Sequence, residues 1–155
     1  MAPRPSPDQA LAEHGALVWS LCRRLADEPE DAYQESWERV LRALPGWDPG
    51  GPAKLSTWIA TITHRVIVDR LRRRRTRGEQ LEPDGLIAPA RPETGLDLER
   101  ALMALPAPWR RVVVLHHVAG LSLQEIAETE GVAVGTIKSR LHRARGALVG
   151  SLGGA

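Results

Sequence analysis

The chain has 155 residues, 43% apolar and 26% charged, a composition that suits a globular protein and excludes a disordered or collagen-like one. Its formal net charge of +2 is mild, but six arginines crowd positions 70 to 77, so the charge is concentrated rather than spread. One cysteine excludes an internal disulfide and a cysteine-based zinc site, and no apolar run approaches the ~18 residues a membrane span needs.

Ser6-Pro7-Asp8-Gln9 reads as a capping box with proline at the first helical position, opening a helix whose inner face is Leu11, His14, Val18, Leu21, Cys22 and Leu25. Asp27 with Glu30 predicts the cap of a second helix running to about Leu44, with Tyr33, Trp37, Val40, Leu41 and Leu44 inward. Its other face carries Asp31, Gln34, Glu35 and Glu38, a stripe that taken alone is more often simply solvated. The PGWDPGGPAK stretch from Pro45 is a loop, and Trp47 within it either tucks onto the core or offers a stacking surface.

A third helix starts at Leu55 or Ser56. Trp58, Ile59, Ile62, Val66 and Leu71 form its expected inner face, and Thr61, His64, Arg65, Val68 and Arg72 its outer one. It ends in the arginine run. Cations suit a helix C-terminus by under ~1 kcal/mol each, which does not require so many of them; phosphate contact is the better account. Residues 76–94, with three prolines and no periodicity, read as a flexible linker.

Beyond it, Leu98, Ala101, Leu102 and Leu105 predict one helix, stopped by Pro106. Trp109, Val112, Val113, His116 and Val118 predict the next, ended by Gly120. Ser122 and Glu125 form a second capping box, Gly131 marks a turn, and Ile137, Leu141, Ala144 and Leu148 form an apolar stripe. The opposite face shows Thr136, Lys138, Ser139, Arg140, His142, Arg143 and Arg145. Two short helices joined this way make a helix-turn-helix, whose second helix offers donors to a major groove and its phosphates.

The expected fold is all-α: two small helical domains, 6–75 and 95–150, joined by the linker. No carboxylate pair, metal spacing, phosphate loop or nucleophile constellation points to an enzyme, and no cofactor is expected. A simple helix-turn-helix regulator is the alternative from another class, but it leaves the first domain unexplained.

These residues carry a resemblance. Asp31-Ala32-Tyr33-Gln34-Glu35 is similar to the "DLVQE" of bacterial RNA polymerase sigma factors of the extracytoplasmic-function (ECF) group, and Thr57-Trp58-Ile59 through Asp69-Arg70-Leu71-Arg72 to their "TWL…I…D.LR". GLSLQEIA followed by GTIKSRLHRAR resembles the same family's second domain. The resemblance implies a cytoplasmic protein that binds core RNA polymerase, through its beta and beta-prime subunits, and promoter DNA. It implies polymerase contacts at Asp31, Gln34, Glu35 and Glu38. It implies minus-ten contacts at Trp47, Lys54, Trp58, Thr61, His64, Arg65, Arg72 and Arg73, and minus-thirty-five contacts at Thr136, Lys138, Ser139, Arg140 and Arg143. Arg65 stands where the family usually has asparagine. An anti-sigma factor is a common partner in the group, and membrane insertion is not implied.

Overall fold

The computed structural model describes residues 3–79 and 97–153. Among them are seven α-helices and one 3-10 turn, with no strand. Helices α1 (Pro7–Leu25), α2 (Pro29–Ala43) and α3 (Leu55–Thr76) form the front module. Helices α4 (Asp97–Ala104), α5 (Ala107–His117), α6 (Leu123–Glu130) and α7 (Val134–Leu152) form the rear module. Most of the expected linker, from residue 80, and the first two residues of the expected second domain lie outside the described residues.

Local chemistry sets the helix boundaries. At α1 both halves of the predicted box form: the Gln9 amide donates to the Ser6 hydroxyl at 3.2 Å, and the Ser6 amide donates to Gln9 Oε1 at 2.8 Å. The expected Asp27 cap of α2 does not form. The helix starts at Pro29, with Glu28 at the cap position making no side-chain bond, and Asp27 pairs instead with Arg74. Proline supplies the helical φ here, and Glu30 and Asp31 in the first turn suit the helix dipole.

The front core is Ala10, Val18, Cys22, Ala32, Trp37, Val40, Leu44, Ile59 and Ile62. Leu11 and Leu41, both expected inside, are exposed, and Ala10 and Ala32 take the inner positions, where small side chains let the helices approach. The Cys22 thiol is pushed up to about 11, chiefly by burial. In the rear module α5 buries Arg111 through Leu115 and ends at His117, so Val118, expected within the helix, is an exposed residue at its cap. Leu98 of α4 is exposed as well.

The two modules share a core. One apolar cluster joins Leu21, Leu25, Ala60 and Ile67 of the front to Leu115, Leu121, Ile126, Ile137, Leu141 and other residues of the rear. Modules of this size bury too little surface to be comfortable alone, and each supplies the other with a partner. Helix α3 is therefore sheathed on two sides, by α1 and α2 and by α6. This overturns the expected outer face: His64 and Val68 are buried, and Trp58 is only half-buried. A single amphipathic stripe cannot describe a helix with two covered faces.

Candidate nucleic-acid and polymerase interfaces

The helix-turn-helix is α6 and α7. The Ser122 hydroxyl accepts the Glu125 amide at 3.0 Å, and Gly131 takes φ +71° at the end of α6. That left-handed conformation is what the turn needs and what glycine adopts without a Cβ penalty. Ile137, Leu141 and Ala144 seat α7 on the core, which turns Thr136, Lys138, Ser139 and Arg143 outward, all exposed. Arg140 departs from this face. Its guanidinium reaches 3.7 Å from Glu130, and its side chain is only 14% exposed.

Glu130 is the centre of a buried ionic knot. Arg111 donates to both its oxygens at 2.9 Å, and His64 Nε2, from the front module, lies 2.7 Å from Oε2. Burial opposes its ionisation, but the His64 and Arg111 hydrogen bonds more than offset that and hold its carboxyl well below the usual carboxylate range. Sequence reasoning did not single out Glu130 or Arg111, although two signals existed. An acid in the last turn of α6 opposes the helix dipole unless it is paired. An arginine four residues before Leu115 lies on the apolar face of α5.

On α2, Asp31, Gln34 and Glu38 are exposed, and Glu35 is half-buried. Glu35 receives Arg73 at 3.0 Å and Arg70 at 3.3 Å, with Arg39 at 3.4 Å. Arg39 also pairs with Asp69 at 2.8 Å. Burial acts to raise the Glu35 carboxyl, but the Arg73 and Arg70 hydrogen bonds leave it below its ordinary value. The arginine run is thus partly spent inside the protein: Arg73 on Glu35, Arg70 on Glu28 and Glu35, Arg74 on Asp27 and Glu79. Its density is an internal matter as well as a surface one.

Of the remaining front-module residues, Trp47 and Trp58 stand together with ring centroids 6.5 Å apart, and the Trp47 carbonyl accepts from Arg4 at 3.0 Å. Lys54 and Arg65 are exposed, and the Thr61 hydroxyl donates to the Thr57 carbonyl at 3.0 Å. Lys54, Trp58, Thr61 and Arg65 line one wall of a cleft of about 820 Å³, and the opposite wall is the α5–α6 corner with Glu125, Glu128 and Thr129. Arg72 is exposed, lies 3.8 Å from Asp69 and approaches the Gly131 turn. Trp47, Lys54, Trp58, Thr61 and Arg65 are therefore brought together, whereas His64 is withdrawn into the knot and Arg73 is turned toward α2. Among the described residues no cluster of histidine, cysteine or acidic groups could hold a metal ion, and no helix is long and apolar enough to cross a membrane.

Two modules in this order, a three-helix unit and then a helix-turn-helix with a basic outer face, define a protein class. Residues 11–77 match the Sigma-70 region 2 model and residues 95–148 the Sigma-70, region 4 model. The ECF RNA polymerase sigma factor SigE of Mycolicibacterium smegmatis is 38% identical over 158 residues, covering 93% of this chain and 60% of that one. SigW of Bacillus subtilis is 30% identical over 152 residues, covering 84% and 80%, and SigM of Mycobacterium tuberculosis is 34% identical over 152 residues, covering 94% and 76%. Among solved structures, the sigma factor RpoE of Bartonella quintana, crystallised with the anti-sigma factor NepR, superimposes with a TM-score of 0.67 at 26% identity, covering 94% of this chain and 96% of that one. The chain belongs to the ECF group of sigma-70-type RNA polymerase sigma factors. It spans about 60% of the SigE relative but most of SigW and SigM.

Proposed function

We propose that this chain, as a sigma factor of promoter-specific transcription initiation, divides the work between its modules. The exposed face of α2 with Asp31, Gln34 and Glu38, and Glu35 once released from its arginines, docks on core RNA polymerase. Trp47, Lys54, Trp58, Thr61 and Arg65, with the arginine run including Arg72, engage the minus-ten element. Extruding a base there costs a few kcal/mol, and a stacking aromatic returns ~1–3 kcal/mol per base. Thr136, Lys138, Ser139 and Arg143 read the minus-thirty-five duplex, joined by Arg140 when it leaves Glu130. The chain acts in the cytoplasm, as a regulator of transcription rather than an enzyme. An anti-sigma factor is a fitting further partner, as NepR is for the RpoE relative.

The observation that carries this reading is the outward basic face of α7, seated on a capped α6 and a left-handed Gly131 turn. Transcription from a genomic promoter library with core polymerase tests it: initiation at a discrete promoter set that depends on the added chain is expected, and its absence overturns the reading. A chain that binds duplex DNA tightly without polymerase would instead be a stand-alone regulator.

A further inference from the structure

The two modules touch through more than apolar contact. The His64 side chain, 0% exposed, and the Glu130 side chain, 6% exposed, meet at 2.7 Å across the boundary, while Arg111 holds the same carboxylate from behind. At the other end of the boundary Arg24 of α1 grips Glu99 of α4 through two bonds of 3.1 Å. The Arg72 guanidinium comes close to the Gly131 turn. Between these ties the α5–α6 corner forms the wall facing Lys54, Trp58, Thr61 and Arg65. A bidentate arginine leaves a carboxylate with lone pairs to spare, and His64 takes one of them at 2.7 Å. Here the extra partner is the one bond of the knot that crosses between modules.

We infer that His64, Glu130 and Arg111 form a latch that closes the rear module over the DNA-facing wall of the front module, with Arg24–Glu99 as a second strap. The latch itself rests on the geometry; that it covers a DNA-binding face rests on the function proposed above. In the closed form His64 is sequestered, and the cleft confines what reaches Trp58 and Thr61. Opening exposes all of them at once, so promoter access is coupled to separation of the modules. The apparent affinity for single-stranded DNA is then reduced by the fraction of chains that are open.

Resonance energy transfer on the full chain tests this, with dyes on cysteines introduced at the exposed helical positions Ala12 of α1 and Gly146 of α7. The parent protein is expected to give a fixed transfer efficiency, and His64→Ala and Glu130→Gln are expected to shift it to that of a separated pair. His64→Ala leaves the Glu130–Arg111 pair of the rear module whole, so it decides the matter if Glu130→Gln weakens folding. A parent protein whose modules are already apart, or a transfer unchanged in both variants, overturns the latch. A labelled single-stranded oligonucleotide then probes the covered face. Glu130→Gln should bind it about tenfold more tightly, whereas Glu13→Gln, a charge-matched change on the exposed face of α1 away from the cleft, should not. If transfer shifts while oligonucleotide affinity stays fixed, the latch stands and the front wall is not a DNA surface.

Discussion

Two carboxylates, Glu35 and Glu130, are each surrounded by basic groups, and they behave as different objects. Glu35 sits between α2 and α3 with its side chain 22% exposed and partners that reach water, Arg73 being 52% exposed. Glu130 sits in a dry boundary between modules, with partners 0% and 8% exposed. The bonds are of similar length; the solvent is not. Water screens the first group and would rehydrate whatever a mutation left behind. In the second, removing one partner strands a charge where nothing can solvate it.

The largest effect expected from this contrast is at Glu130. Glu130→Ala leaves Arg111 buried and unneutralised and should lower stability by ~3–5 kcal/mol, read by denaturant unfolding. A loss below ~1 kcal/mol would mean that water enters the knot and that the two sites are alike. Acid sharpens the same point. The folded-state carboxyl of Glu130 lies below its ordinary value of 4.5. Its contribution is therefore complete above about pH 4.5 and drains away as the pH falls toward the folded value. Unfolding free energy measured downward from pH 7 should hold through pH 5 and then fall, less steeply in His64→Ala.

Next in size is Lys138→Ala on the outer face of α7, which should cost ~1–3 kcal/mol of promoter binding by holoenzyme, with little change in melting temperature. Transcription equal to the parent's would remove Lys138 from the groove contact. The smallest effect is expected at the exposed end of the comparison. Arg73→Ala should change stability by only ~0–1 kcal/mol, because Arg70 and Arg39 remain on Glu35. A loss as large as that of Glu130→Ala would show that the α2–α3 ladder is cooperative rather than screened.

Elements whose determinants are local were legible from the sequence. The α1 capping box, the Gly131 turn and the Ile137–Leu141–Ala144 stripe depend on spacings of three or four residues, and each forms as expected. Failures came where a distant group decides. The Asp27 cap lost to Arg74, which lies far along the chain and competes for the same carboxylate. His64 reads as outward because α3 carries an apolar stripe on its other side, and nothing within α3 reports that α6 covers the second face. The pairing of Arg73 with Glu35 is likewise set from another helix, and it leaves the Arg73 side chain 52% exposed. On α7, Thr136, Lys138, Ser139 and Arg143 were readable because they point away from the core; the front-module surface was readable only in part because it lies against the rear module.

The setting of Cys22 has a consequence for signalling. A thiol packed among Val18, Trp37 and Ile59, and titrating near 11, holds almost none of the nucleophilic thiolate at neutral pH. Peroxide and alkylating agents should pass it by in the native protein. Oxidative stress therefore has no direct handle on this thiol, and a message carried by cysteine chemistry would have to arrive through another molecule.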